Sequence, residues 1–259
     1  MVPLNKQLAN KIKDLLLKII RKKLSSYNPE TRSMPFHYKL LGKDRMALFS
    51  FIHSVNTMLG QSVFEQIGKL IAEPGAERAV AQYKEMEGYI STEAVLVIDK
   101  IIRDLRTEKR KPNKQRETLE VLKASREGDL REKLKRRVDL FVKTRAGDEY
   151  YFEIKTAKPN INKFSSIKKQ LLEWIAMRGS QSQDVLIKTI LAIPYNPYEP
   201  KPYERWTLQG LFDLEEELLV GKEFWDFLGQ KGTYEDLLLV FEEAGKELSQ
   251  EIDKKTSSF

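Results

Sequence analysis

The sequence predicts an α/β fold in which helices surround a short central set of strands. Three observations lead there. Both ends of the chain carry apolar residues at helical spacing. The middle switches to two runs rich in β-branched and aromatic residues, joined by a tight turn. A further apolar run, Val185–Ile193, lies between Asp184 and Pro194 and reads as another strand. Helices before, between and after strands give one α/β domain with helical extensions.

Taken in order, residues 4–26 place Leu8, Ile12, Leu15, Leu16, Ile19 and Ile20 on one helical face, and Asn28-Pro29 ends the run. Residues 34–42 read as irregular. Helices follow from about Asp44 to Leu59 and, after Gly60, to about Ala72, where Glu73-Pro74-Gly75 stops them. Further helices are expected over 76–86, 91–107 and 114–125. Arg137–Thr144 (R-V-D-L-F-V-K-T), the turn Ala146-Gly147-Asp148 and Glu149–Thr156 (E-Y-Y-F-E-I-K-T) form a hairpin. A helix spans about Lys163 to Met177, with Asn162 available as its cap. From Leu208 to Asp253 the chain reads as helical, broken at Gly221 and at Gly229–Gly232.

The 259 residues include 45 Lys and Arg against 38 Asp and Glu, a formal charge of +7 that suits a polyanionic partner. The absence of cysteine excludes disulfides, thiolate catalysis and Cys-based zinc sites. With only His37 and His53 present, oxygen ligands suited to magnesium or manganese are the default for any metal. No stretch approaches the roughly 20 apolar residues of a membrane span, and no signal segment is visible, so a cytoplasmic location away from membranes is expected.

One constellation carries chemistry. Asp139 stands in the first hairpin strand, Glu153 and Lys155 in the second. Alternation puts Glu153 and Lys155 on one face and turns Ile154 into a core, while the hairpin returns Asp139 beside Glu153. Two carboxylates can hold a hard divalent cation, which neutralises charge building on a phosphate and acidifies a bound water. The lysine can orient the nucleophile, stabilise the transition state or accept a proton. Glu-x-Lys also arises by chance on solvated strands. The Asp-bearing strand, the turn and the Tyr-Tyr-Phe lead-in set this instance apart.

The runs R-R-V-D-L-F-V-K and Y-F-E-I-K-T-A-K-P-N resemble the active-site hairpin of PD-(D/E)XK restriction endonucleases, with Val138 where the motif usually has proline. The resemblance implies a restriction-endonuclease-like core with a short mixed central sheet flanked by helices. It maps the family's reactive groups onto Asp139, Glu153 and Lys155, and implies magnesium (manganese as a substitute) on Asp139, Glu153 and the Ile154 carbonyl. Residues 49–68, F-S-F-I-H-S-V-N-T-M-L-G-Q-S-V-F-E-Q-I-G, resemble the N-terminal helix of such enzymes and point to Glu65 as an acid near the metal. The segments at 35–45, 192–200 and 223–238 are similar to the TdeIII/MjaII-type branch, which implies double-strand cleavage at GGNCC. A single domain, 1–259, is expected: an N-terminal helical part (1–90), a catalytic core (91–207) and a C-terminal helical part (208–259). The implied partners are double-stranded DNA, a second copy of the chain and a cognate DNA methyltransferase. The implied products carry 5′-phosphate ends. Two other readings stay open: a structure-selective nuclease (a junction resolvase or repair enzyme) and a non-catalytic DNA-binding protein.

Several basic or amide side chains are candidates for DNA contact, each with a plainer alternative. Arg136 and Arg137 either meet phosphate or form a solvated basic face. Lys158 and Asn160 follow the second strand directly, and Gln170 lies on the next helix, where it either assists near the site or is part of an amphipathic surface. Tyr195, Asn196 and Arg205 belong to a Pro/Tyr-rich loop able to read base edges or simply pack on the domain. The run 108–116, E-K-R-K-P-N-K-Q-R, is either a phosphate-gripping loop or a solvated linker.

Overall fold

The computed structural model describes residues 4–29, 34–156, 161–182, 186–203 and 208–257. The chain divides into two compact units, one of residues 1–67 with 230–259 and one of residues 68–229.

The first unit is helical. Helix α1 (Lys6–Ser26) starts where the Asn5 side chain accepts from the Leu8 N–H at 2.8 Å. It lies along α9 (Thr233–Thr256). Leu4 N–H reaches Asp236, Lys13 reaches Glu247, and Arg21 reaches Glu247 and Glu251. These contacts advance together along both segments, so the two helices run parallel. The ion pairs are largely exposed, so solvent screening leaves each of them weak. A cluster of Leu24, Tyr27 and Phe51, with Ile20, Val55 and Ile252 against it, supplies apolar burial.

The stretch read as irregular is instead helix α2 (Pro35–Leu41), with Pro35 at its first position, where a missing N–H costs nothing. Gly42, at φ +84°, separates it from α3 (Lys43–Met58). Helix α3 continues through a π-helical turn, Leu59–Val63, into α4 (Phe64–Ala72), in which the chain passes to the second unit.

The second unit is built on a five-stranded sheet of order β1-β2-β3-β4-β5. These strands are β1 (Ala76–Ser91), β2 (Leu130–Thr144), β3 (Glu149–Ile154), β4 (Ile187–Ile193) and β5 (Leu218–Val220). The first three pair antiparallel, and β4 and β5 add parallel to β3. Helices α5 (Thr92–Arg106) and α6 (Lys114–Ala124) precede β2, α7 (Ile161–Gly179) joins β3 to β4, and α8 (Lys222–Leu228) follows β5.

Alternation along β3 sorts the two faces. Tyr151 packs on Phe141 and on Trp174 of α7, within a core that includes Ile98, Ile101, Val121 and Leu171. Phe152 packs the other way, on Phe224 and Phe227 of α8. On that second face Gly68 approaches so closely that a Cβ there would lie 2.9 Å from Leu140 and 3.2 Å from Leu228.

Three further expectations change. Residues 76–86 form a strand, not a helix. Their helix-favouring composition yields to pairing with β2, where Tyr83 stacks on Phe141 at 4.7 Å. Residues 208–217 are turns, and 218–220 make a short strand because the edge of β4 offers free backbone groups. Helix α7 already runs at Ile161, so Asn162 lies in its first turn and is not the cap.

Candidate active site

Leu140 of β2 pairs with Phe152 of β3, which brings Asp139 level with Glu153 on the α7 side of the sheet. Lys155 follows the last residue of β3 and shares that side. Ile154 is buried, and its N–H donates to Asp139 Oδ2 at 2.9 Å, fixing the carboxylate against the strand end. The Lys155 ammonium meets three oxygens: Glu153 Oε1 at 2.5 Å, Asp139 Oδ2 at 3.2 Å and the Ile154 carbonyl at 3.1 Å. These oxygens belong to the three groups that the sequence resemblance nominated as metal ligands. They already converge on a cation, the lysine's own.

Gln170 of α7 donates to the second oxygen of Glu153 at 2.9 Å, so α7 orients the carboxylate from above the strand. Arg137 Nε lies 3.7 Å from Asp139 Oδ1. Arg136 pairs with Glu173 at 2.8 Å, which joins β2 to α7. Burial and the neighbouring Asp139 charge push the Glu153 carboxyl up, against the pull of Lys155 and Gln170. Burial lowers Lys155, but Glu153 and Asp139 outweigh it and hold the group above the usual lysine range, as an ammonium. The site is open enough to react: the Lys155 side chain is 24% exposed, those of Asp139 and Glu153 11% and 8%.

The remaining nominated residues belong to other parts of the chain or fall outside what the structure describes. Glu65 is buried in the first turn of α4 and belongs to the helical unit. Tyr195 is exposed. The Asn196 amide is engaged within its own loop, donating to the Lys201 carbonyl at 2.7 Å and accepting from the Tyr198 N–H at 3.0 Å. Lys158, Asn160 and Arg205 lie outside the described residues.

The run 108–116 is not a solvated linker throughout. Arg110 forms a two-pronged pair with Glu120, Arg116 joins the same carboxylate, and Lys114 is buried. Lys114 belongs to a group that the sequence did not disclose. Its ammonium bonds Thr189 Oγ1 at 2.5 Å and Glu217 at 3.1 Å. Lys168 of α7 pairs with the same Glu217 and, at 2.6 Å, with Glu117. Burial lowers Lys114 against the pull of Glu217. Burial pushes Glu217 up, but Lys114 and Lys168 prevail and hold its carboxyl below the ordinary range. Lys114, Glu117 and Lys168 sit on helices whose local pattern is that of ordinary amphipathic surface, and Glu217 ends the turns that lead into β5.

The chain is similar to known proteins over most of its length. A sequence model of the family described as "Type II restriction endonuclease, HinfI" matches residues 4–245. The chain is 30% identical over 224 residues to the type II restriction enzyme HgiCII of Herpetosiphon aurantiacus, covering 85% of this chain and 81% of that protein. It is 29% identical over 270 residues to HgiEI of the same organism, covering 95% of this chain and 96% of that one. It is 25% identical over 275 residues to MjaII of Methanocaldococcus jannaschii, covering 95% and 72%. Among the described residues, no helix is long and apolar enough to cross a membrane.

Proposed function

Because the chain belongs to the HinfI family of type II restriction endonucleases, we propose that Asp139, Glu153 and Lys155 form its reactive centre and that it hydrolyses double-stranded DNA at a short palindromic site with magnesium. The observation that carries this reading is the convergence of two carboxylate oxygens and the Ile154 carbonyl on one point occupied by the Lys155 ammonium. The donor set fits the ion. All three donors are hard oxygens, and Lys155 together with the more distant, half-exposed Arg137 only partly offsets the two carboxylates. Among the described residues no cluster of three or more His, Cys, Asp or Glu competes as a metal cage. Magnesium is commonly held by one or two carboxylates, with water and substrate phosphate completing its shell.

Asp139, Glu153 and the Ile154 carbonyl would hold the metal, which when bound neutralises phosphate charge and acidifies a coordinated water. The chain's own groups do the rest. Lys155, as an ammonium, sets a positive charge where the attacked phosphate gains negative charge. Gln170 keeps Glu153 turned toward the site. Arg137 adds a second positive charge beside Asp139.

The TdeIII/MjaII-type resemblance extends the reading to cleavage at GGNCC with 5′-phosphate products. One reactive centre per chain and a two-strand target imply a two-fold pair of copies. A companion DNA methyltransferase would protect the host's own sites.

Digestion of a mapped plasmid with magnesium, with manganese and with a chelator tests the whole. Discrete fragments ending at GGNCC, absent on chelation, are expected. Cutting confined to branched DNA would replace this reading with a resolvase, and no cutting under any metal would overturn it.

A further inference from the structure

The helical unit carries an open groove of about 570 Å³ between the end of α1, the second half of α3 and the π turn that follows it. Lys23, Asn28, His53, Ser54, Gln61 and Ser62 are on its walls. None of its eleven lining residues is Asp or Glu, in a chain where 38 of 259 residues are acidic and one or two would be expected by composition. Apart from Met58, every lining side chain carries a hydroxyl, an amide, an imidazole or an ammonium.

The walls are braced. The Tyr27 hydroxyl is 2.5 Å from Ser50 Oγ, and Lys23 Nζ sits 5.2 Å from the centre of the Tyr27 ring, which ties the end of α1 to α3 and keeps the lysine at the groove. The π turn, Leu59–Val63, is a second and independent feature. Such turns are rare and recur at functional sites, and this one presents Gln61 and Ser62 to the groove.

We propose that this groove binds the phosphodiester backbone of DNA. Phosphate oxygens only accept hydrogen bonds. A wall of neutral donors with a lysine, and no carboxylate, meets them without repulsion and without reading bases. A groove of similar size on the sheet unit, about 620 Å³, shows the contrast. It is lined by Glu108, Asp213 and Glu215 beside Arg110 and Lys111, and its carboxylates oppose an anion. The inference rests on the DNA-cleaving reading for the identity of the polymer, but not on the chemistry of the Asp139 site.

The test is the affinity and salt dependence of full-length protein for a fluorescent duplex of arbitrary sequence, without divalent metal. Asn28→Asp with Gln61→Glu places two negative charges on exposed groove residues without changing their shape. Binding is expected to weaken at least about tenfold at about 50 mM salt, and the log–log salt slope to shrink by about one for each phosphate the variant no longer neutralises. Gln7→Glu with Gln250→Glu makes the same charge change at exposed positions of the same unit outside the groove and is expected to bind as wild type. Lys23→Gln, which removes a charge and adds none, is expected to weaken binding about threefold to tenfold. Equal binding by wild type and the Asn28/Gln61 variant, or equal weakening in both double variants, would overturn the groove assignment alone. Displacement of the duplex by inorganic phosphate at matched ionic strength would reassign the groove to a free anion. A wild-type protein that binds no duplex would take the DNA reading down with it.

Discussion

The sheet unit contains two clusters made from the same parts, lysine ammonium groups set against a pair of carboxylates, and they differ in access and in charge balance. At the end of β3, the Lys155 ammonium, 24% exposed, is the cation in direct contact with both Asp139 and Glu153; Arg137 stands farther from Asp139, at 3.7 Å and 46% exposed, where solvent screens it and leaves the two carboxylates incompletely neutralised. Under α6 and α7, Lys114 and Lys168 meet Glu117 and Glu217, charges cancel two against two, and Lys168 and both glutamates are fully buried. The first retains attraction for a further cation and a route to it. The second has neither, and its ions serve to hold α6, α7 and the strand edges together. Residue type alone therefore does not single out the proposed reactive centre; incompletely neutralised charge within reach of solvent does.

The largest effect should come from the open cluster. Lys155→Ala or Asp139→Asn is expected to lower plasmid cleavage by about 10³-fold or more, the scale of several kcal/mol of transition-state stabilisation, while duplex binding stays within a few-fold. Unchanged cleavage by either variant would erase the distinction between the clusters.

Next comes the sealed cluster. Lys168→Met strands Glu117 and leaves Glu217 with one lysine only, so urea unfolding should report a destabilisation of about 3–5 kcal/mol. A change under about 1 kcal/mol would mean that the buried charges do not brace the fold.

Gln170→Ala touches the open cluster indirectly. It removes the donor to Glu153 and should slow cleavage about tenfold, with unfolding hardly altered. Complete inactivity would instead give Gln170 a direct part in the reaction.

The smallest effect belongs to a third pair, Glu149 with Arg178, intermediate in exposure. Burial pushes the Glu149 carboxyl up, but Arg178 and Tyr151 outweigh it and hold it below the usual value near 4.5. Its contribution to stability is thus present above about pH 4.5 and disappears as pH falls further. The stability gap between wild type and Glu149→Gln, measured across pH, should be widest near neutrality and close in acid. A gap independent of pH would show that the pair acts by packing.

The hairpin was legible because period-two alternation and a Gly-containing turn place Asp139, Glu153 and Lys155 on one side of the sheet whatever surrounds them. Strand β1 was not legible. Its first half, A-E-R-A-V-A-Q-Y, is rich in helix-favouring residues, and only the presence of β2 turns it extended. Helix α2 was hidden behind Pro35, whose place at a first helical turn looks in sequence like a break. The buried ion quartet left no trace, because Lys114 and Lys168 occupy helices whose composition suits solvent equally well.

By itself, then, the amino-acid sequence determined the donor chemistry and the face it shares. A chain without cysteine and with two histidines offers oxygen ligands, and alternation along two short strands aligns three of its charged side chains. The tertiary structure alone decided which charges stay reachable and which are sealed, that Gln170 closes over Glu153, and that the Lys155 ammonium rests among three oxygens. Periodicity is a local property carried by neighbours in the chain, whereas burial and charge balance depend on residues brought together from distant segments.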